Sequence, residues 1–298
     1  MTMNNKNIKL DPRLSLAASF VKGDVAADIG TDHAYIPIYL LTSGKCKYAI
    51  ASDINEGPLM RAKANAMNYN VDKKIFFGLT DGLRNLPLEE KSVPDIIICG
   101  MGGELIANII KASEYAKNKD VNLILQPMSS IDELRTYLAD NGFEIKDEGI
   151  CSAQGKIYQC INCSYTGVKY SLSPAETALG KVNIAKANEN PHFSILLSKM
   201  TEQTKHIILG KQKGGNDSEK ERQLLSRLLK KVYCANSLVA TLLRAIGIIA
   251  SVVLAIVFLK NLDWWLDESV LETLAVLYIF CGMGLLPYWL GGKINQTV

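Results

Sequence analysis

The groups in this chain best suited to chemistry are concentrated in Asp28-Ile29-Gly30-Thr31-Asp32-His33-Ala34-Tyr35-Ile36-Pro37. This block follows the apolar run Val25-Ala26-Ala27 and leads into a helix-like segment. A strand that ends in an acid and a glycine turn is how a nucleotide-cofactor site opens in a Rossmann-like sheet. Asp53 closes the next strand-like run, Tyr48-Ala49-Ile50-Ala51-Ser52, 23 residues past Gly30. At that spacing a carboxylate can accept both ribose hydroxyls of a bound nucleoside. The turn is not G-x-G-x-x-G: it has one glycine, and Asp32 holds the next glycine slot. Three glycines admit a pyrophosphate, whereas S-adenosylmethionine carries a sulfonium cation and an amino-acid tail. Asp28 and Asp32 suit that cation, which favours methyl transfer over hydride transfer. The alternative is that they are plain strand-end turn residues.

Two further acid or glycine turns follow the next strand-like runs. Asp81-Gly82-Leu83 comes after Ile75–Phe77, where an acid in this fold can accept an adenine amine. Gly100-Met101-Gly102-Gly103 comes after Asp95–Cys99, and glycines there allow close backbone approach to a ligand. A tight strand-to-helix turn would use the same residues.

These turns need a sheet to hold them. Strands are expected at Val25–Ile29, Tyr48–Ser52, Ile75–Phe77, Asp95–Cys99, Val121–Leu125, Phe143–Ile150 and Ile157–Cys163. Helices are expected at Glu56–Asn68, Gly103–Lys117 and Ile131–Ala139. The alternation argues for a doubly wound α/β sheet. The last two strands lack a helix-length connection and should pair antiparallel. A mostly parallel sheet ending in an antiparallel hairpin is the class I methyltransferase architecture.

Strand signals stop near residue 165. Ser173-Pro174-Ala175-Glu176 reads as a helix start, with a serine cap, proline at the first position and an early acid. Gly214-Gly215-Asn216-Asp217-Ser218 breaks the helical pattern, which resumes over Glu219–Leu238. Two long helices around that turn would form a hairpin, read as a coiled coil. The chain carries net +3 over 298 residues, distributed unevenly. Residues 1–165 carry −2, residues 166–243 carry +6 and residues 244–298 carry −1. A concentrated basic segment is an electrostatic footprint for nucleic acid; a solvated Lys-rich face is the alternative.

Two charge-free runs follow, Ala245–Leu259 and Thr273–Gly292, separated by a mainly acidic loop containing Trp264-Trp265. The second, 20 residues long, can span a bilayer. Paired tryptophans fit an interfacial belt, and the outer positive charges place both ends in the cytoplasm. Residues 239–298 are therefore expected to form a two-helix transmembrane hairpin, contacting the membrane through 239–292. It would tether a cytoplasmic catalytic domain to the inner face of the plasma membrane. An apolar oligomerisation hairpin is the alternative. The polar opening Met1–Leu10 is not read as a signal peptide. The seven scattered cysteines form no disulfide framework and point to a reducing compartment. Cys160-Ile161-Asn162-Cys163 lies in a strand, where alternation separates the sulfurs; they are read as one core and one surface thiol. No metal is expected.

Taken together, these residues make the chain resemble the TrmK family, bacterial tRNA (adenine(22)-N(1))-methyltransferases. The resemblance covers roughly residues 8–240. It rests on Leu10-Asp11-Pro12-Arg13-Leu14, the Asp28–Pro37 block, Ala51-Ser52-Asp53-Ile54 and Gly57-Pro58-Leu59. It also rests on Asp81-Gly82-Leu83, Gly100-Met101-Gly102-Gly103-Glu104-Leu105-Ile106, Leu123-Ile124-Leu125-Gln126-Pro127, Gly155-Lys156-Ile157-Tyr158 and the helices from Pro174. The resemblance implies an S-adenosylmethionine-binding catalytic domain (1–165) and a helical tRNA-binding domain (166–238). The apolar hairpin is a departure from the family.

Within that frame Asp28, Ile29 and Gly30 are assigned to the methionine end of the cofactor. Asp53 and Ile54 are assigned to its ribose, and Asp81 and Gly82 to its adenine. Gly100, Met101 and Gly102 would border the methyl group and the target base. Asp32 and His33 are the candidates for polar contact with that base; His33 could equally be a turn residue bonded to backbone. Arg13 and Tyr35 are candidates for holding tRNA. Lys181, Lys186, Lys205, Lys211, Lys213, Arg227, Lys230 and Lys231 would contact phosphates, which set affinity but little sequence choice. Adenine N1 already has a lone pair, so positioning rather than a general base is the expected source of rate. The base is expected to leave its stack, and carboxylates or carbonyls to stabilise the cationic product. Two other functions compete: methylation of a lipid or quinone at a membrane, and a non-enzymatic tRNA-binding membrane adaptor.

Overall fold

The structure, a computed structural model, describes residues 8–88 and 92–230. The expected membrane hairpin and Lys231 lie outside these residues. No helix among the described residues is long and apolar enough to cross a membrane.

Seven strands form one sheet: β1 (Val25–Ile29), β2 (Tyr48–Asp53), β3 (Ile75–Leu79), β4 (Asp95–Gly102), β5 (Asn122–Ser129), β6 (Phe143–Ala153) and β7 (Lys156–Tyr165). Their order is β3-β2-β1-β4-β5-β7-β6. The first five are parallel, and β7 pairs antiparallel with both β5 and β6. Between the strands lie α1 (Pro12–Ser19), α2 (Tyr35–Thr42), α3 (Glu56–Asn68), α4 (Gly103–Lys111) and α5 (Ile131–Asp140), with α1 ahead of β1.

The central strands are apolar without alternation because helices cover both faces. Ile96, Ile98, Leu123 and Leu125 face one core with Ile106 and Leu134. Ile97 and Ile124 face the other, with Ala17, Ile38 and Leu40. Caps set two helix starts. Asp11 accepts a bond from the Leu14 amide (2.9 Å) ahead of Pro12. Ser173 and Glu176 cap each other reciprocally at the start of α6 (Pro174–Leu179).

Three expectations need correction. The helix from Gly103 stops at Lys111, and only a short 3-10 turn, Tyr115–Lys117, follows it. The helix from Pro174 is three pieces: α6, α7 (Lys181–Ala185) and α8 (Phe193–Lys213). Gly180, at φ +92°, turns the chain out of the helical region between the first two. Finally, neither thiol of the Cys160–Cys163 pair is on the surface. Cys160 lies in one core and Cys163 in the other, both fully buried, because the sheet is covered on both sides there. Burial pushes both thiols well above their usual range. After α8 the chain turns at Gly214-Gly215 and is helical again over residues 219–230. Lys211 pairs with Glu221 across that turn at 2.8 Å.

Candidate functional site

The strand order reverses direction between β1 and β4, and the loops leaving their carboxyl ends meet there. Open α/β sheets bind ligands at this crevice. Gly30 leaves β1 at φ +77°, the left-handed region that favours glycine. Its amide and that of Thr31 both donate to the Ser52 carbonyl at 2.8 Å, tying the turn to β2. A methyl on Gly30 would overlap the end of the Met101 side chain, so the β1 and β4 turns touch. Gly100 also has a positive φ, +81°.

Asp28 sits beneath this crevice, 8% exposed. Burial raises its carboxyl from the usual range to about 6; a bond from Thr31 opposes the rise and the charge of Asp53 adds to it. A buried carboxylate whose influences are a hydroxyl and another carboxylate is ready for a cationic ligand. Asp53 ends β2 and accepts a bond from the Asn55 amide at 2.8 Å. Ile54 beside it is 62% exposed. Asp81 is exposed and lies 3.7 Å from Arg84, next to Gly82 at φ +64°. The three acid turns therefore follow β1, β2 and β3 in sheet order. These residues fit an adenosyl cofactor with a cationic end: acids for ribose, amine and cation, and glycine turns for close approach.

Asp32 is not a lone carboxylate. Arg61 on α3 clasps it through Nε (3.0 Å) and through Nη2, and His33 Nε2 lies 3.3 Å from its other oxygen. Asn65 donates to the His33 carbonyl at 2.8 Å. The His33 ring stacks on Tyr35 with centroids 5.1 Å apart and 18° between planes. Ala34 between them takes φ +52°, and its amide bonds the Thr31 hydroxyl at 3.1 Å. The backbone carbonyl of His33 is thus bonded, while its ring remains one-third exposed beside half-exposed Tyr35. No motif in the sequence marks Arg61; only the helical phase of α3 brings it across.

Arg13 reaches the same edge from α1. Its Nη1 donates to the Gln126 side-chain oxygen at 2.7 Å, and its guanidinium lies 5.9 Å from the Tyr158 ring centroid. Asp11 lies 3.6 Å from Nη2. A Cβ on Gly100 would sit 3.6 Å from Nη1, which puts this cation beside the β4 turn. Gln126 is fully buried and donates in turn to the Pro127 carbonyl at 2.8 Å. Replacing Arg13 by Ala is expected to cost about 1–3 kcal/mol, since it takes from a buried acceptor a charged donor. Replacing Arg61 by Ala, in an exposed pair, should cost under about 1 kcal/mol. Urea midpoints of the two variants would check this contrast.

Gly103 packs on backbone: a Cβ there would overlap the Ser130 carbonyl oxygen and lie 2.8 Å from its carbon. Among the basic candidates, Lys186 pairs with Asp147 (2.8 Å), Lys205 with Glu202 (2.9 Å) and Lys211 with Glu221 (2.8 Å). Lys181, Lys213, Arg227 and Lys230 are exposed.

Known proteins resemble this chain in sequence and fold. A family model described as a methyltransferase domain matches residues 10–161. The tRNA (adenine(22)-N(1))-methyltransferase of Bacillus subtilis (strain 168) is 30% identical over 235 residues, spanning 76% of this chain and 94% of the relative. A Streptococcus pneumoniae structure in complex with S-adenosyl-L-methionine superposes with a TM-score of 0.62 at 32% identity, covering 73% of this chain and 100% of that one. M. capricolum TrmK in complex with the cofactor product S-adenosyl-homocysteine superposes with a TM-score of 0.58 at 26% identity. It covers 76% of this chain and 98% of its own.

Proposed function

We propose, from the premise that this chain belongs to the TrmK family of tRNA (adenine(22)-N(1))-methyltransferases, that it methylates N1 of adenine 22 in tRNA. S-adenosylmethionine supplies an electrophilic methyl on a sulfonium centre. The observation that carries the reading is the buried Asp28 carboxyl at the β1–β4 crevice, with Asp53 and Asp81 on the next two strand ends.

Asp28, with the Ile29 and Gly30 backbone, would hold the cationic amino-acid end of the cofactor. Asp53 and Ile54 would hold the ribose, and Asp81 and Gly82 the adenine. The turn at Gly100, Met101 and Gly102 would then face the transferred methyl. No general base is needed, because adenine N1 attacks through its own lone pair; the protein's task is alignment. His33 and Tyr35 offer a stacked, half-exposed surface to an RNA base. Asp32 would act on the base as a member of its pair with Arg61 and His33, not as a free carboxylate. Arg13 beside Gly100 would carry the phosphate of the target nucleotide. The exposed cations Lys181, Lys213, Arg227 and Lys230 support phosphate contact along the helical segment 166–238 more directly than the three lysines already paired.

A membrane tether through residues 239–292 belongs to the same proposal. Its support is the 20-residue charge-free run Thr273–Gly292 and the tryptophan loop before it. It would leave the catalytic domain on the cytoplasmic side.

The test is methyl transfer from labelled S-adenosylmethionine to an unmodified tRNA transcript by the full chain, followed by nucleoside analysis. The expected product is 1-methyladenosine, lost when adenine 22 is replaced by guanine. Labelling that persists after this replacement would overturn the position. Label in an extracted lipid and none in tRNA would overturn the substrate.

A further inference from the structure

The most heavily bonded polar cluster lies away from the crevice, where the sheet meets the helices after residue 173. Arg135 on α5 and Glu148 on β6 are an ion pair at 2.7 Å, both with side chains fully buried. The guanidinium makes four hydrogen bonds. Nε donates to Glu148 Oε1 at 2.8 Å, and Nη2 donates to Gln159 Oε1 at 2.9 Å while lying 2.7 Å from Glu148 Oε1. Nη1 donates to the carbonyls of Thr177 (2.9 Å) and Ala178 (3.2 Å), in the last turn of α6. The second Glu148 oxygen accepts from the amides of Val182 (2.9 Å) and Asn183 (3.4 Å), in the first turn of α7.

The cation therefore closes the carbonyl end of one helix and the anion closes the amide end of the next. Each charge meets the end of the peptide dipoles that favours it. Gly180 is the corner between them. A Cβ there would lie 2.5 Å from Glu148 Oε1 and 2.6 Å from its carboxyl carbon, so the corner can hold only glycine while the pair is in place. Asn183 locks the inner side, donating to the Leu179 carbonyl at 3.0 Å and to Gln159 at 3.3 Å.

A buried ion pair is a poor way to gain stability. Apolar residues of similar volume often serve as well or better, while loss of one partner is costly. This pair does bond to both helix ends at once, the carbonyls that close α6 and the amides that open α7. We infer that Arg135 and Glu148 are positioning residues for the RNA substrate: they fix the direction in which the helical segment from Pro174 leaves the catalytic sheet, and so the register between its phosphate-binding cations and the methyl-transfer crevice. This rests on the tRNA reading above. Neither residue touches the crevice edges described, so their effect reaches the substrate through α6 and α7.

The test uses the full chain with Arg135→Met and Glu148→Leu together, which leaves no unpaired charge, and Gly180→Ala as an independent disturbance of the corner. Cofactor affinity is read by calorimetry, KM and kcat on tRNA by methyl transfer. The angle is read as the distance distribution between spin labels at the exposed Gln203 and Lys119. The labels are attached through non-natural residues because the chain has seven cysteines. The expected result for both variants is cofactor affinity within about twofold of wild type, a KM for tRNA raised about tenfold, a smaller change in kcat, and a broadened distance distribution. Retained cofactor binding with unchanged KM and an unchanged distribution would overturn the inference. So would a parallel loss of cofactor affinity, which would make the pair a support of the sheet alone. A wild-type chain that leaves tRNA unmethylated would overturn the functional reading instead, and with it the role toward RNA; the label distances would still report whether the pair sets the angle.

Discussion

Asp28→Asn is expected to make the protein more stable at pH 7 while weakening its hold on the cofactor by about ten- to a hundredfold. Burial holds the Asp28 carboxyl at about 6 against an ordinary value of 3.8. Each unit corresponds to about 1.4 kcal/mol, so the charged form costs the fold about 3 kcal/mol. The sign follows from where protons bind. Between pH 4 and pH 6 the folded state keeps a proton that the unfolded chain has released. The stabilising contribution is therefore fully present below about pH 4 and is lost as pH rises through 6. Asparagine has no such dependence. Thermal midpoints measured from pH 4 to pH 8 should show the variant gaining on wild type through this window and staying ahead above it. The compensating loss is functional: a charge-assisted bond to a cation contributes about 1.5–3 kcal/mol, and asparagine keeps only the neutral part. For the wild type the same linkage predicts that cofactor affinity falls about fivefold between pH 6 and pH 5, as Asp28 takes up its proton. Calorimetric titration of S-adenosylmethionine at the two pH values decides it. Equal affinity in wild type and variant at pH 7 would remove Asp28 from the cofactor site.

Gly103→Ala is expected to be the most damaging single methyl in the catalytic sheet. The added carbon meets the Ser130 carbonyl oxygen and carbon and lies 3.1 Å from the Ser129 carbonyl oxygen. All are backbone atoms at the junction of β5 and α5, and Ser130 already sits at φ +52°. No rotamer can move out of the way, so α4 and α5 must separate and the Ile106–Leu134 core between them loosens. The cost should be about 3 kcal/mol or more, at the upper end of overpacking effects. Gly30→Ala offers the contrast. Its overlap is with the flexible end of Met101, leaving mainly the cost of the left-handed backbone, about 1–2 kcal/mol. Denaturant midpoints should rank the two, and a Gly103→Ala protein as stable as wild type would contradict the packing described.

The acid and glycine turns of the candidate site were legible in the sequence because they are local. Asp28, Asp53 and Asp81 each stand at the end of a short apolar run or just past it, and strand, turn and acid are contiguous in the chain. The sheet was legible for a similar reason, since the runs and the gaps between them carry their own periodicity. The strands are longer than expected, β4 running on through Gly102 and β6 to Ala153, because pairing with a neighbour extends them beyond their apolar cores. The break at Gly180 was hidden because one glycine in a helical pattern does not say whether it bends the chain. That depends on the Glu148 carboxylate packed against it.

What the sequence by itself determined, then, is the succession of the seven strands and of most helices between them, the acid and glycine turns at the strand ends, and the change to a basic helical segment near residue 166. Each follows from neighbours in the chain, through steric limits on the backbone and the period of apolar side chains. Only the tertiary structure decided which polar groups meet. Arg61 closes on Asp32 across 29 residues, and Arg13 on Gln126 across 113. Arg135 and Glu148 enclose the helix corner at Gly180. It also decided that Cys160 and Cys163 are both buried, since alternation separates two faces but only the helices laid on them exclude water. Such pairings depend on the distance between atoms in space, and no local pattern of residues encodes that distance.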